Sequence, residues 1–142
     1  MSEQGPASIG GGWLGTYAYK GALSAQTPVR FEATVAEPDS EGRFTGSILD
    51  DGNLGEADIR GEQSGSGIRF SKAYRRRGQP GVSYEGTLSD DGLTMQGTWQ
   101  IAGAAHGVWD ARRAWSENGT AQVEDVEEEQ EQPRVREVVR LG

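Results

Sequence analysis

Apolar residues fall on alternate positions along most of the first 116 residues, the pattern of strands that bury one face. The stretch WLGTYAYK places Trp13, Gly15, Tyr17 and Tyr19 on one side, and VRFEATV places Val29, Phe31, Ala33 and Val35. RFTGSIL gives Phe44, Gly46 and Ile48, while EADIRGE gives Ala57, Ile59 and Gly61. IRFSKAY contributes Ile68, Phe70, Lys72 and Tyr74, and VSYEGTL contributes Val82, Tyr84, Gly86 and Leu88. LTMQGTWQI offers Leu93, Met95, Gly97, Trp99 and Ile101; GVWDARRAW offers Gly107, Trp109, Ala111 and Arg113. The opposite faces carry Arg, Glu, Thr, Ser, Asp and Gln, which suit water. Residues that tolerate positive φ separate several of these stretches: Asp-Asp-Gly at 50–52, Ser-Gly-Ser-Gly at 64–67 and Ser-Asp-Asp-Gly at 89–92. The pattern predicts an all-β domain, an eight-stranded antiparallel up-and-down β-barrel, with an open sandwich as the competing architecture. Closure is favoured because it leaves no unpaired strand edge.

Glycines recur on the inward face at Gly15, Gly46, Gly61, Gly86 and Gly97. Glycine weakens a strand, so its repeated use points to bending and close approach inside a small barrel, where large and small residues alternate. In up-and-down order the N-terminal end collects Trp13, Val35, Phe44, Ile68, Leu88, Leu93 and Arg113, joined by short connections. The other end collects Tyr19, Val29, Lys72, Tyr74, Tyr84, Trp99 and Trp109, with longer loops at 20–28, 75–81 and 102–107. The first end reads as a plug and the second as a mouth. An eight-stranded barrel encloses either packed side chains or one small ligand.

Composition narrows the classes. The chain has 142 residues, a single-domain length, and no cysteine, which removes disulfides and thiolate chemistry. Residues 117–142 carry eight acidic and three basic side chains; the remainder carries 14 acidic and 11 basic. An acidic body argues against nucleic acid as a partner despite the run Arg75-Arg76-Arg77. No apolar run approaches the ~20 residues of a membrane span, and the start lacks the pattern of a signal peptide. No membrane partner and a cytoplasmic location are therefore the expectations. The domain organisation reads as a flexible N-terminus at 1–10, a barrel at 11–116 and an acidic tail at 117–142, either disordered or a short docking segment. The tail ends in an amphipathic stripe, Val135, Val138, Val139 and Leu141, which could dock on the barrel or form a homodimer.

Lys72 is the anomaly, an amine on a face that otherwise faces the core. No inward carboxylate is evident to pair with it. Either its stem lines the wall and the ammonium snorkels through the mouth, or it anchors a ligand carboxylate, enolate or carbonyl. Tyr17, Tyr19, Tyr74 and Tyr84, with Phe31, Trp99 and Trp109, are ordinary barrel filling or a cage for a planar ligand, and Met95 adds adaptable packing. His106, the single histidine, lies in a mouth loop, and one histidine is a poor basis for a metal site. No phosphate-binding loop, dinucleotide fingerprint or nucleophile elbow is present, so no cofactor is implied.

Gly11 and Trp13 in GGWLGTY resemble the Gly-x-Trp start of the calycin superfamily, which includes lipocalins, fatty-acid-binding proteins and avidins. In those barrels an arginine of the last strand packs across the first-strand tryptophan, and Arg113 or Arg112 stands at the matching place. The resemblance covers residues 11–115 in layout. It implies the fold and a small-molecule site, without the cysteine pair of lipocalins or a biotin-site pattern. The expected function is binding of a small, largely apolar or planar molecule in the mouth. An alternative is a cofactor-independent cyclase or isomerase using Lys72, Tyr74 and Tyr84, as in small barrels of polyketide biosynthesis. A second alternative is a filled barrel acting as a protein-interaction module.

Overall fold

The structure, a computed structural model, describes residues 7–52 and 54–116; residues 1–6, Asn53 and the tail expected at 117–142 lie outside the described residues. Eight strands follow the alternating stretches: β1 (Gly11–Tyr19), β2 (Val29–Val35), β3 (Arg43–Asp50), β4 (Glu56–Ser64), β5 (Gly67–Tyr74), β6 (Val82–Leu88), β7 (Thr94–Ile101) and β8 (Ala105–Ser116). Each pairs antiparallel with its successor, and β8 returns to β1, so the sheet is a closed barrel in sequence order. The open sandwich is thereby excluded. A single 3-10 turn, Gly21–Leu23, interrupts the β1–β2 loop. Among the described residues no helix is long and apolar enough to cross a membrane.

The period-two reading places side chains correctly because burial follows it. Phe31 and Val35, Phe44 and Ile48, Ala57 and Ile59, and Val82, Tyr84 and Leu88 all face one continuous core. Removing this apolar surface from water is the main force that holds the barrel closed. Side-chain carboxylates fix the turns: Asp39 accepts from the backbone N–H of Glu41 and Arg43 at 2.8 and 2.9 Å, and Asp91 accepts from that of Leu93 at 3.0 Å. The second of these corrects the expectation that Leu93 faces inward. Held in the turn by Asp91, Leu93 precedes β7 and is exposed.

Two inward glycines show what the small residues accomplish. A Cβ on Gly86 would lie 2.8 Å from the Trp109 indole, and one on Gly107 would lie 2.7 Å from Nε1 of Trp99. The Trp99 indole lies close over a glycine of the adjacent strand, and the Trp109 indole reaches across β7 to one on β6. Trp109 Nε1 can then donate to Glu85 O and Thr98 O at 3.1 and 3.2 Å, so its N–H stays satisfied inside the wall.

Among the described residues, 7–10 already pack on the barrel, ahead of the start at 11 expected from sequence. Ile9 is only 1% exposed, and its carbonyl accepts the indole N–H of Trp13 at 2.8 Å. Gln63 clamps the same segment, accepting from Ile9 N at 3.0 Å and donating to Ala7 O at 2.6 Å. The Arg113 guanidinium lies 4.4 Å from the Trp13 ring centroid and donates to Gly92 O, Gly10 O and Ser8 O at 2.8, 2.7 and 2.6 Å. This end of the barrel is its floor, sealed by residues 7–10 together with Trp13 and Arg113.

Candidate functional site

β1, β3 and β5 run from floor to mouth and β6 returns, and near the mouth these four strands bring one polar cluster together. Lys72 Nζ donates to both carboxylate oxygens of Asp50, at 3.1 and 3.0 Å, and to the Tyr84 hydroxyl oxygen at 3.3 Å. Tyr17 donates its phenol proton to Asp50 Oδ2 at 3.1 Å, and Tyr74 donates to the same oxygen. The ammonium faces three rings as well, 4.8 Å from the centroid of Tyr74, 4.9 Å from Tyr17 and 5.6 Å from Tyr84. Lys72 is 1% exposed and Asp50 5%.

Electrostatics follow from this enclosure. Burial pulls the Lys72 ammonium below its ordinary value, while the charge and hydrogen bonds of Asp50 push back. Burial also raises Tyr17, Tyr74 and Tyr84, and the negative charge of Asp50 raises each further. The cluster therefore holds one ion pair of zero net charge among three neutral phenols. Such a pair adds little net stability over an apolar replacement, yet losing one partner strands the other in a medium that cannot solvate it.

Two expectations about Lys72, that its ammonium snorkels and that no inward carboxylate meets it, are corrected here. The side chain does not snorkel, and an inward carboxylate does pair with it. Asp50 continues the inward series Phe44, Gly46 and Ile48 by one step, as the last residue of β3. The Asp-Asp-Gly turn signal hid it; only Asp51 is outside, exposed and paired with Arg30 at 3.2 Å. Extending the alternation by two residues would have found it.

The other expected site residues divide into three groups. Tyr17, Lys72, Tyr74 and Tyr84 meet in the cluster. Phe31 and Trp99 flank it, at 6.4 and 5.7 Å from the Tyr17 ring, and Trp109 packs edge-on to Tyr84 at 5.7 Å. Tyr19 stands above them, half-buried and edge-to-face on Trp99 at 5.0 Å. Met95 is not brought to the cluster: it pairs with Leu88 and Ala111, toward the floor, and is ordinary core.

The rim contrasts with the floor. Tyr19, Val29, Tyr74, Ile101 and Ala105 are only partly buried and pack on the core from above. His106 is exposed and borders a rim cleft of about 640 Å³ with Lys20, Leu23 and Ile101. A larger concavity of about 1030 Å³ lies on the outer wall. Outward Glu62, Arg69, Glu85, Gln96 and Asp110 contribute much of its lining, so it reads as open, solvated wall rather than a ligand seat. No protein-family model matches the chain, and no curated protein matches it in sequence.

Proposed function

We propose that the barrel binds a small, largely apolar or planar molecule at its mouth, in keeping with a calycin-like layout. The observation that carries this reading is the asymmetry of the two ends. One is sealed by Ile9, Trp13 and Arg113, while the other leaves half-buried Tyr19, Val29, Tyr74 and Ile101 around a hydrogen-bonding cluster. Apolar walls with a few convergent polar groups are the usual make-up of a ligand site. The ligand would rest on the rim above the cluster rather than on Lys72, whose ammonium is already enclosed. The test is a titration with planar and apolar compounds, following indole fluorescence together with two-dimensional NMR. Binding should shift Tyr19, Tyr74, Trp99 and Ile101 and leave Ile9 and Trp13 unmoved. Shifts confined to the outer wall, or none at all, would remove the reading.

One observation favours a cofactor-free cyclase or isomerase as the second reading. From the rim inward, the Tyr74 hydroxyl, the Asp50 carboxylate and the Lys72 ammonium form a hydrogen-bonded chain able to polarise a bound group. In it Tyr74 would touch the substrate, and Lys72 and Tyr84 would act through it. Recovery of every bound compound unchanged after long incubation would count against it.

A further inference from the structure

Resting on the proposed mouth site, we infer that its ligand presents a hydrogen-bond donor, an O–H or N–H, and is not an acid. Three observations lead there. The first concerns Tyr74, the half-buried member of the cluster. Its single proton is held by Asp50 Oδ2, an oxygen of a carboxylate already paired with Lys72. A phenol whose proton is directed inward offers only lone pairs to anything arriving at the rim. Donation to a carboxylate also enriches that oxygen, which makes it a better acceptor.

The second concerns the order of the charges. Asp50 is the last residue of β3, whereas Lys72 is followed by two more residues of β5, and both strands run toward the mouth. Asp50 is also the more exposed of the two, at 5% against 1%. The negative member of the pair therefore stands nearer the rim, and an incoming carboxylate meets a like charge before it can meet the ammonium. The third concerns the rings. Tyr19 and Trp99 stand edge-to-face at the mouth, and π-rich walls favour a polarised donor over an anion. Together these reverse the preference that a bare lysine would have imposed.

The test uses the full-length protein and three probes of one ring size: phenol, anisole, in which the donor is methylated, and benzoate. Affinities come from NMR shift titration, with intermolecular NOEs to Tyr19 and Tyr74 fixing the position. Phenol should bind at the rim about tenfold tighter than anisole or benzoate, the discrimination one hydrogen bond supplies. Equal or tighter rim binding of benzoate or anisole overturns the inference and leaves the mouth site standing. Absence of rim shifts with any probe overturns both. Tyr74→Phe should reduce the phenol preference to below about threefold. A preference that persists in this folded variant overturns the role given to Tyr74. Should the variant not fold, the wild-type ranking and NOEs still decide.

Discussion

At the floor of the barrel one arginine is held by three backbone carbonyls; near the mouth one lysine is held by a carboxylate and a phenol. The difference follows from how completely each cation is enclosed. Arg113 is only partly buried, with its plane on Trp13, and its delocalised charge is weakly hydrated, so carbonyl dipoles are enough. Lys72 is a compact, strongly hydrated charge with no exposed surface to speak of, and only a counter-charge offsets its desolvation. The floor is thus closed by neutral backbone wrapped on a cation, whereas below the mouth an ion pair is surrounded by phenols.

The sharpest way to break this contrast is to remove the carboxylate. Asp50→Ala leaves the ammonium unpaired and should destabilise the barrel by about 3–5 kcal/mol, read from urea unfolding. The double replacement Asp50→Ala with Lys72→Met should recover most of that loss, because no charge then remains inside. A single variant that loses less than about 1 kcal/mol would mean that water reaches the pair and that the enclosure is wrong. The same exchange at the floor should behave differently. Arg113→Ala removes three charge-assisted hydrogen bonds, and about 2–3 kcal/mol should be lost, with residues 7–10 gaining fast amide exchange while the Asp50 cluster keeps its protection.

These two cations also show where the sequence was readable. Strand count, order and, apart from Leu93, the inward faces followed from alternation, since a one-residue slip would expose every core side chain. Arg113 over Trp13 was legible through a short motif. Asp50 was not, because a polar residue beside Asp51 and Gly52 looks locally like part of the turn. Its partner lies 22 residues away in sequence, and only closure of the barrel brings the two together. Residues 7–10 were missed for a related reason. Ile9 is a lone apolar residue between Ser8 and glycines, with no period to betray its burial.

Alkaline pH probes the mouth end first, since the cluster holds the three raised phenols. Each folded phenol lies above its ordinary value of 10.0, so its stabilising contribution is complete below pH 10 and is lost as pH rises toward the folded values. Lys72 acts in the opposite sense: its lowered value is a penalty that is relieved as pH rises to the ordinary 10.5, and beyond that it adds no slope. Above pH 10.5 the phenols act unopposed, and stability should fall steeply. Absorbance near ~295 nm should show Tyr17, Tyr74 and Tyr84 ionising only together with unfolding. Ionisation of Tyr74 in the folded barrel, before any loss of near-ultraviolet circular dichroism, would place its hydroxyl in water rather than on Asp50.

The smallest stability effect belongs to the rim, and there it is most informative. Ile101 is half-buried at the end of β7 and packs on the core from the mouth side. Ile101→Ser should change stability by about 1 kcal/mol or less, because the side chain already touches solvent. A floor residue of the same type, Ile9, is 1% exposed, and Ile9→Ala should lose about 2–5 kcal/mol. Ligand affinity should rank the two positions the other way. If the mouth is a binding surface, Ile101→Ser weakens every rim ligand several-fold, and Ile9→Ala leaves affinity unchanged in the molecules that remain folded. Equal effects on affinity at both positions would mean that compounds sense overall stability rather than a site. The rim would then be merely an unfinished end of the core.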